Sequence, residues 1–142
     1  MGFQFKNIES LKRNRAIEGD IGTTIGFRSS GIALQVLAAS DANPRWREFG
    51  ESYMNEYRRL QRANAPEERL NKFLAENLTK LFVKGWTGVR EEGDNEVPFT
   101  REACVELLLA TDDIIPALLE VVSDNMKFRG ARIEIISDEL KN

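Results

Sequence analysis

The sequence predicts a mainly α fold of about four helices, with a small N-terminal β-hairpin as its minor β part. Three observations predict this class. Apolar residues between positions 45 and 128 recur at spacings of three and four, which is the period of an amphipathic helix. Residues that commonly start helices precede these periodic runs. Before position 44, glycines instead separate short β-leaning runs.

The first 43 residues contain two strand candidates, at 23–25 and 32–37. Both are rich in β-branched and apolar residues, and a polar turn at 28–31 separates them, which predicts a hairpin. The stretch 8–17 before it fits either a short helix or an irregular arm. The chain is therefore divided into three segments: an N-terminal arm and β-leaning hairpin (1–43), a helical domain (44–130) and a C-terminal tail (131–142).

The first two helices of the helical domain have recognisable starts. The run 41–44, Asp-Ala-Asn-Pro, predicts a turn that leads into the first helix. The second helix starts at Pro66, because proline suits the first helical position and two glutamates follow it. Gly85 is its expected end. The aromatic residues of the first helix recur at helical spacing and share one face: Trp46, Phe49, Tyr53 and Tyr57.

The fourth helix is apolar around most of its circumference. Thr100 is the expected N-cap of the third helix, and two aspartates at 112–113 separate it from the fourth. Its apolar residues form two adjacent stripes, one of Ile114, Leu118, Val121 and Phe128 and the other of Ile115, Leu119, Val122 and Met126. A small domain rarely buries so wide a face by itself, so we expect one stripe to dock the helix and the other to face a partner. After Gly130 come a short strand-like run, 133–136, and a polar end. The partner-binding candidates on the helix are Leu118, Leu119, Val121, Val122 and Met126.

Composition limits the class of protein. The chain has 142 residues, a net charge of −3, 30% charged residues and 42% hydrophobic residues, as expected for one soluble globular domain. It contains no histidine and a single cysteine, Cys104, which argues against zinc binding, an internal disulfide and histidine-based catalysis. No acid, base and nucleophile can be assembled from the remaining residues, so we expect a non-enzyme without metal or cofactor. No run of about 18 apolar residues exists, and we expect no membrane partner.

Three other motifs have simpler explanations than a binding site. The glycine-rich stretch 19–26 lacks the lysine of a phosphate-binding loop, and turn glycines explain it. The acidic run 91–96 lacks the alternating ligands of a calcium loop and is expected to be a solvated turn. The arginines between 45 and 62 are interleaved with aromatic residues, as in a nucleic-acid interface. Glutamates dilute their charge, however, so a core face with a solvated opposite side is favoured.

A tryptophan between two glycines opens the connection between the second and third helices. The run 85–89 reads Gly-Trp-Thr-Gly-Val, an acidic turn follows, and Val-Pro-Phe-Thr closes the connection at 97–100. Glycine permits close backbone approach, and tryptophan supplies a large apolar anchor. The apolar residues of this block either pack as a small satellite cluster or form part of a partner-binding groove, and the two are compatible. They are Trp86, Val97, Pro98 and Phe99.

The block from 85 to 100, in this helical setting, resembles one found in tail assembly chaperones of long-tailed bacteriophages of the siphophage type. The Asp-Ala-Asn-Pro turn before an aromatic helix and the leucine-rich helices broken by two aspartates add to the likeness, which spans about residues 35–128. The resemblance implies a non-enzymatic protein that binds the phage tape measure protein. Such a protein keeps the tape measure protein soluble and promotes assembly of the tail tube around it.

Expectations about partners and location accompany this resemblance. The protein is expected in the host bacterial cytoplasm and absent from the mature virion. The tape measure protein is the expected partner, the major tail tube protein is a further candidate, and the wide apolar face of the fourth helix favours self-association. Two alternatives stay open. One is a structural minor tail or connector protein retained in the virion. The other is a small nucleic-acid-binding regulator, which the acidic net charge disfavours.

Overall fold

In the computed structural model, residues 2–6, 12–128 and 132–135 are described, and they form four α-helices and one four-stranded sheet. A π-helical turn at Ile17–Ile21 precedes the first strand, and a 3-10 helix at Asn125–Phe128 follows the last α-helix. In chain order the elements are β1 (Thr23–Phe27), β2 (Ile32–Val36), α1 (Pro44–Arg62), α2 (Glu67–Phe82), β3 (Val83–Thr87), α3 (Arg101–Ala110), α4 (Ile114–Val122) and β4 (Arg132–Ile135).

The sheet has the strand order β3-β2-β1-β4. β1 and β2 form the hairpin that the sequence predicts, with Ile25 opposite Leu34. β3 adds antiparallel to β2, and Trp86 lies opposite Leu34. β4 adds parallel to β1 on the other side. The sheet thus draws strands from all three segments into which the sequence was divided.

The predicted fold class, mainly α with a small N-terminal hairpin, is wrong. The protein is α+β, because the sheet has four strands and extends well beyond the hairpin. Gly85 was expected to end α2, whereas α2 ends at Phe82 and the chain passes directly into β3. The strand-like run after Gly130 was assigned to the tail, although Arg132–Ile135 pairs with β1. Both errors concern strands whose partners lie far away in the sequence, where local pattern is weakest.

The helix starts follow the local sequence closely. The side chain of Asn43 accepts a hydrogen bond from the backbone N–H of Arg45 at 3.0 Å and caps α1. The Thr100 hydroxyl accepts from the N–H of Ala103 at 3.0 Å and caps α3. α2 begins at Glu67, directly after Pro66, with two glutamates in its first turn.

One hydrophobic core holds the sheet and helices together. It combines buried side chains of β1 and β2 with those of α2, α3 and α4. Aromatic rings of α1 join its edge: Tyr53 stacks on Phe73 of α2 with centroids 5.6 Å apart, and Trp46 lies 5.6 Å from Phe82. The largest side chains that are less than 2% exposed include Phe82, Phe128, Ile25, Leu34, Leu78, Leu81, Leu108 and Leu118.

The wide apolar face of α4 lies mostly inside this core. Leu118 and Val121 are 0% and 1% exposed, and Val122 from the adjacent stripe is 3% exposed. Ile115 and Leu119 are half-buried and pack against the same core. The expectation that one whole stripe of this helix faces solvent is therefore wrong. The helix is covered on several sides because it packs against α2 and the 3-10 helix, while the carbonyl of Val122 accepts from the N–H of Ala39.

A partly buried ion pair between Arg13 and Glu18 holds the chain just before β1 against the body of the protein. The carboxylate of Glu18 is 0% exposed and accepts two hydrogen bonds from the Arg13 guanidinium, at 2.6 and 3.1 Å. The backbone carbonyl of Glu18 also accepts from the N–H of Ala38 at 2.8 Å. Hydrogen bonding from Arg13 holds the pKa of Glu18 below its ordinary value, although burial opposes this shift.

This ion pair predicts a loss of stability in acid. Because the pKa of Glu18 is lowered by folding, its contribution is complete above the ordinary value of 4.5 and is lost as pH falls through the lower folded value. Urea denaturation of the wild type and Glu18→Gln should therefore show a clear difference in unfolding free energy at pH 7 that shrinks towards pH 3. A difference that stays constant over this range would contradict the assignment.

Candidate functional site

Trp86 of the edge strand β3 is the centre of the candidate site. Its indole N–H donates a hydrogen bond to the carbonyl of Val97 at 2.8 Å. Its ring meets Phe99 edge to face, with centroids 5.1 Å apart and an interplanar angle of 88°. Both rings are half-buried and pack at the margin of the core. The two ends of the β3–α3 connection are therefore joined by one hydrogen bond and one aromatic contact.

The connection between β3 and α3 folds back on itself to make this contact. The N–H of Val97 donates to the carbonyl of Val89 at 2.9 Å, and Arg90 pairs with Glu96 as an isolated antiparallel bridge. Gly88 has φ of 76°, and a Cβ at this position would lie 2.1 Å from the carbonyl oxygen of Gly31. Glycine is thus required at position 88 both by its backbone conformation and by its close approach to the β1–β2 turn.

The structure brings together four of the nine predicted partner-binding residues, which we call the Trp86 cluster: Trp86, Val97, Pro98 and Phe99. Pro98 is exposed, whereas the other three are half-buried. The acidic run before it, 91–96, is exposed, as expected for a solvated turn. The cluster therefore presents an apolar edge to solvent beside strand β3 while its rings remain anchored in the domain.

Four of the other five predicted residues lie in the core or pack against it. Leu118, Val121 and Val122 are buried in the core, and Leu119 is half-buried against it. Met126 lies in the 3-10 helix Asn125–Phe128, and its side chain is outside the described part of the chain.

Sequence reasoning missed a groove between α2 and α3. This groove has a volume of about 780 Å³, with Thr79 and Val105 among its lining residues. Its charge pattern on α2 was visible in the sequence, since lysines and glutamates recur there every four residues, but the packing of α3 against α2 was not. The sign of the charge alternates around the groove, which is suited to a partner with mixed charges. The charged lining residues are Lys72, Glu76, Lys80, Arg101, Glu102 and Glu106.

The chemistry of the described residues is that of packing and contact. Cys104 is buried, burial raises the pKa of its thiol, and its sulfur accepts a hydrogen bond from Thr79 at 3.3 Å. Such a thiol is a poor nucleophile, because its thiolate form is disfavoured. Within residues 2–6, 12–128 and 132–135, no cluster of three acidic or cysteine side chains could hold a metal ion. No helix in this part of the chain combines the length and apolarity needed to cross a membrane.

Removal of the Trp86 ring should destabilise the domain substantially. We expect Trp86→Ala to cost about 2–3 kcal/mol of unfolding free energy, less than the ~3–5 kcal/mol of a fully buried ring, because Trp86 is half-buried. Trp86→Phe retains most of the apolar contact and loses the hydrogen bond to Val97, so it should cost about 1 kcal/mol. Urea denaturation at pH 7 measures both, and equal costs for the two variants would contradict the ring's role as an anchor.

Comparison with known proteins gives one match. A family model described as YdaY prophage protein matches residues 41–137, which contain all four α-helices together with β3 and β4. No curated protein and no solved structure matches the chain. The matched segment includes the whole Trp86 cluster and the α2–α3 groove, whereas the β1–β2 hairpin lies outside it.

Proposed function

The chain belongs to the YdaY prophage protein family, and from this premise we propose that it is a phage tail assembly chaperone. In this role it binds the tape measure protein, keeps it soluble and promotes tail tube assembly around it. It does so in the host bacterial cytoplasm and is absent from the mature virion. Phage origin follows from the family; the chaperone role rests on the resemblance of the 85–100 block and on the surfaces described above.

The Trp86 cluster is the observation that carries the proposal. It combines rings anchored in the domain with an exposed Pro98, at the edge strand of the sheet. Anchored aromatic side chains with partly exposed faces are typical of binding hot spots, because they offer contact area with little loss of side-chain entropy. A chaperone needs such apolar contact area on a body that stays soluble, and 30% of the residues in this chain are charged.

The α2–α3 groove supplies a second contact area for the same partner. Tape measure proteins are long and largely helical, as the resemblance implies, and an amphipathic helix binds by laying its apolar face into a groove between helices. The lining of this groove contains both lysine and glutamate, such as Lys80 and Glu106, so it favours a helix with mixed charges on its flanks. The two surfaces together fit a holdase better than an enzyme.

Co-expression with the tape measure protein of the same prophage tests this function. We expect the wild-type chain to move the tape measure protein from the insoluble to the soluble fraction and to copurify with it. Pro98→Glu places a charge on the exposed edge of the Trp86 cluster and should reduce copurification at least tenfold. Gln61→Glu is the matched control, because it adds the same charge at an exposed position of α1 and should leave copurification unchanged.

Three outcomes would contradict the chaperone role. One is a tape measure protein that stays insoluble with the wild-type chain. The second is recovery of this chain in purified mature particles, which would favour a structural tail or connector protein. The third is DNA retention near physiological ionic strength that weakens with added salt, which would favour a nucleic-acid-binding regulator.

A further inference from the structure

We propose that the N-terminal segment of one copy of this chain docks into a depression on a second copy. The segment is residues 2–6, which contain Phe3 and Phe5. The depression, here called the corner pocket, lies where α2 begins, α3 ends and α4 starts. The proposal concerns self-association only and does not depend on the chaperone function. The corner pocket is lined by Glu67, Asn71, Leu109, Thr111, Ile115 and Pro116.

The docking segment carries the two most exposed aromatic rings of the described residues. Phe3 is 87% exposed and Phe5 is 70% exposed, and their ring centroids lie 6.1 Å apart. Lys6 follows them and is exposed. Farther along the chain, Arg13 is fixed by its ion pair with Glu18. The docking segment therefore lies before a residue that is held by an ion pair, and both of its phenylalanine side chains are largely exposed on their own domain.

The corner pocket is a depression lined by both polar and apolar side chains, and the apolar ones include Leu109, Ile115 and Pro116. Its volume is about 350 Å³, and a neighbouring depression of about 510 Å³ continues along the first turns of α2. Both depressions are lined by Glu67, Asn71 and Leu109. Leu109 is 45% exposed, the largest exposure of any leucine, isoleucine or valine side chain in the described helices α1 to α4. Pockets of this size accommodate one or two aromatic rings.

Charge also matches the segment to the pocket. The rim carries Glu67, Glu68 and Asp112, against the single positive charge of Lys72. The segment carries Lys6 and no acidic residue between positions 2 and 6. Two phenylalanines followed by a lysine thus meet the apolar side chains of the pocket beside its acidic rim. This charge complementarity between two surfaces of the same sequence points to a second copy as the occupant of the pocket.

Two kinds of assembly satisfy this docking. The segment and the corner pocket are different surfaces, so two copies can exchange their segments reciprocally in a two-fold dimer, or each copy can dock its segment on one neighbour and receive the segment of another. The second arrangement closes into larger rings or extends as open chains. The mass of the wild-type species distinguishes the two.

Sedimentation velocity on the full-length chain tests the proposal. The wild type should form species larger than the 16.2 kDa monomer, with a mass that rises with concentration. Phe3→Ser with Phe5→Ser removes the segment's rings, and Leu109→Glu places a charge in the pocket. Each variant alone should be monomeric. An equimolar mixture should form a 1:1 complex of about twice the monomer mass and nothing larger, because one intact segment and one intact pocket remain.

Control variants separate docking from unfolding. Phe3→Leu with Phe5→Leu keeps apolar side chains and should retain most of the association. If Leu109→Glu loses the wild-type circular dichroism spectrum, Glu67→Lys with Glu68→Lys replaces it as the pocket variant. A wild-type chain that stays monomeric at high concentration would overturn the proposal, as would a mixture of the two variants that stays monomeric. Association that survives in both variants would overturn it as well.

Discussion

Replacement of Leu118 and Val121 together by glutamate is expected to unfold the protein. Both side chains are at most 1% exposed, and they lie in the core shared by the helices and the sheet. Placing a carboxylate in such a site costs at least about 3 kcal/mol through lost packing and desolvation. Two such sites cost about 6 kcal/mol, which equals the whole stability of many domains. Circular dichroism should show the loss of helical signal.

The adjacent stripe of α4 provides a sharp comparison. Leu119→Glu with Val122→Glu should also unfold the protein, because Val122 is 3% exposed. Leu119→Glu alone should be milder, since Leu119 is half-buried, and Glu120→Ala should be almost neutral because Glu120 is exposed. A folded Leu119→Glu, Val122→Glu variant that merely dissociates an oligomer would contradict this account and restore α4 as a binding surface.

Loss of the Asn43 side chain is expected to have the second largest effect. Its amide nitrogen donates to the carbonyls of Ala38 at 2.9 Å and Leu81 at 3.1 Å, while its oxygen caps α1. Asn43 is 0% exposed, so its removal leaves two buried carbonyls without this donor. We expect Asn43→Ala to cost about 3–5 kcal/mol, the sum of a lost cap and of unsatisfied buried groups. Urea denaturation measures this cost.

Asn43→Asp separates the two roles of this residue. Aspartate keeps the oxygen that caps α1, but it cannot donate to Ala38 and Leu81 and it brings a negative charge to a buried position. It should therefore be as damaging as Asn43→Ala at pH 7. If Asn43→Asp were as stable as the wild type, the helix cap alone would account for the contribution of Asn43 to stability. The hydrogen bonds to the two carbonyls would then contribute little.

The sequence revealed helices better than strands, for a physical reason. The caps Asn43 and Thr100 act on backbone groups two or three residues away, so local sequence contains the whole signal. β3 depends instead on β2, and β4 on β1, across long stretches of chain. Gly85 illustrates the difference. Glycine commonly ends helices, yet Gly85 lies inside β3, where it pairs with Gln35 of β2.

Prediction of the candidate site likewise succeeded where the signal is local and failed where it depends on distant parts of the chain. The Trp86 cluster was found because tryptophan between glycines is unusual and because its partners lie in one short connection. The corner pocket and the α2–α3 groove were missed, since each depends on how separate helices pack. The wide apolar face of α4 was misinterpreted because periodicity shows which residues are apolar, but the number of neighbours that cover a helix depends on the complete fold.

The parallel pairing of β1 with β4 has a consequence for the newly synthesised chain. The strands are separated by residues 28–131, so the ribosome makes the hairpin and all four helices before β4 exists. Until then the β1 edge has open N–H and carbonyl groups, which attract any other extended chain. Such late, non-local pairing is slow and exposes the nascent protein to aggregation. A truncated chain that ends before Arg132 would keep the β1 edge unpaired. We expect such a chain to be degraded or to misassemble.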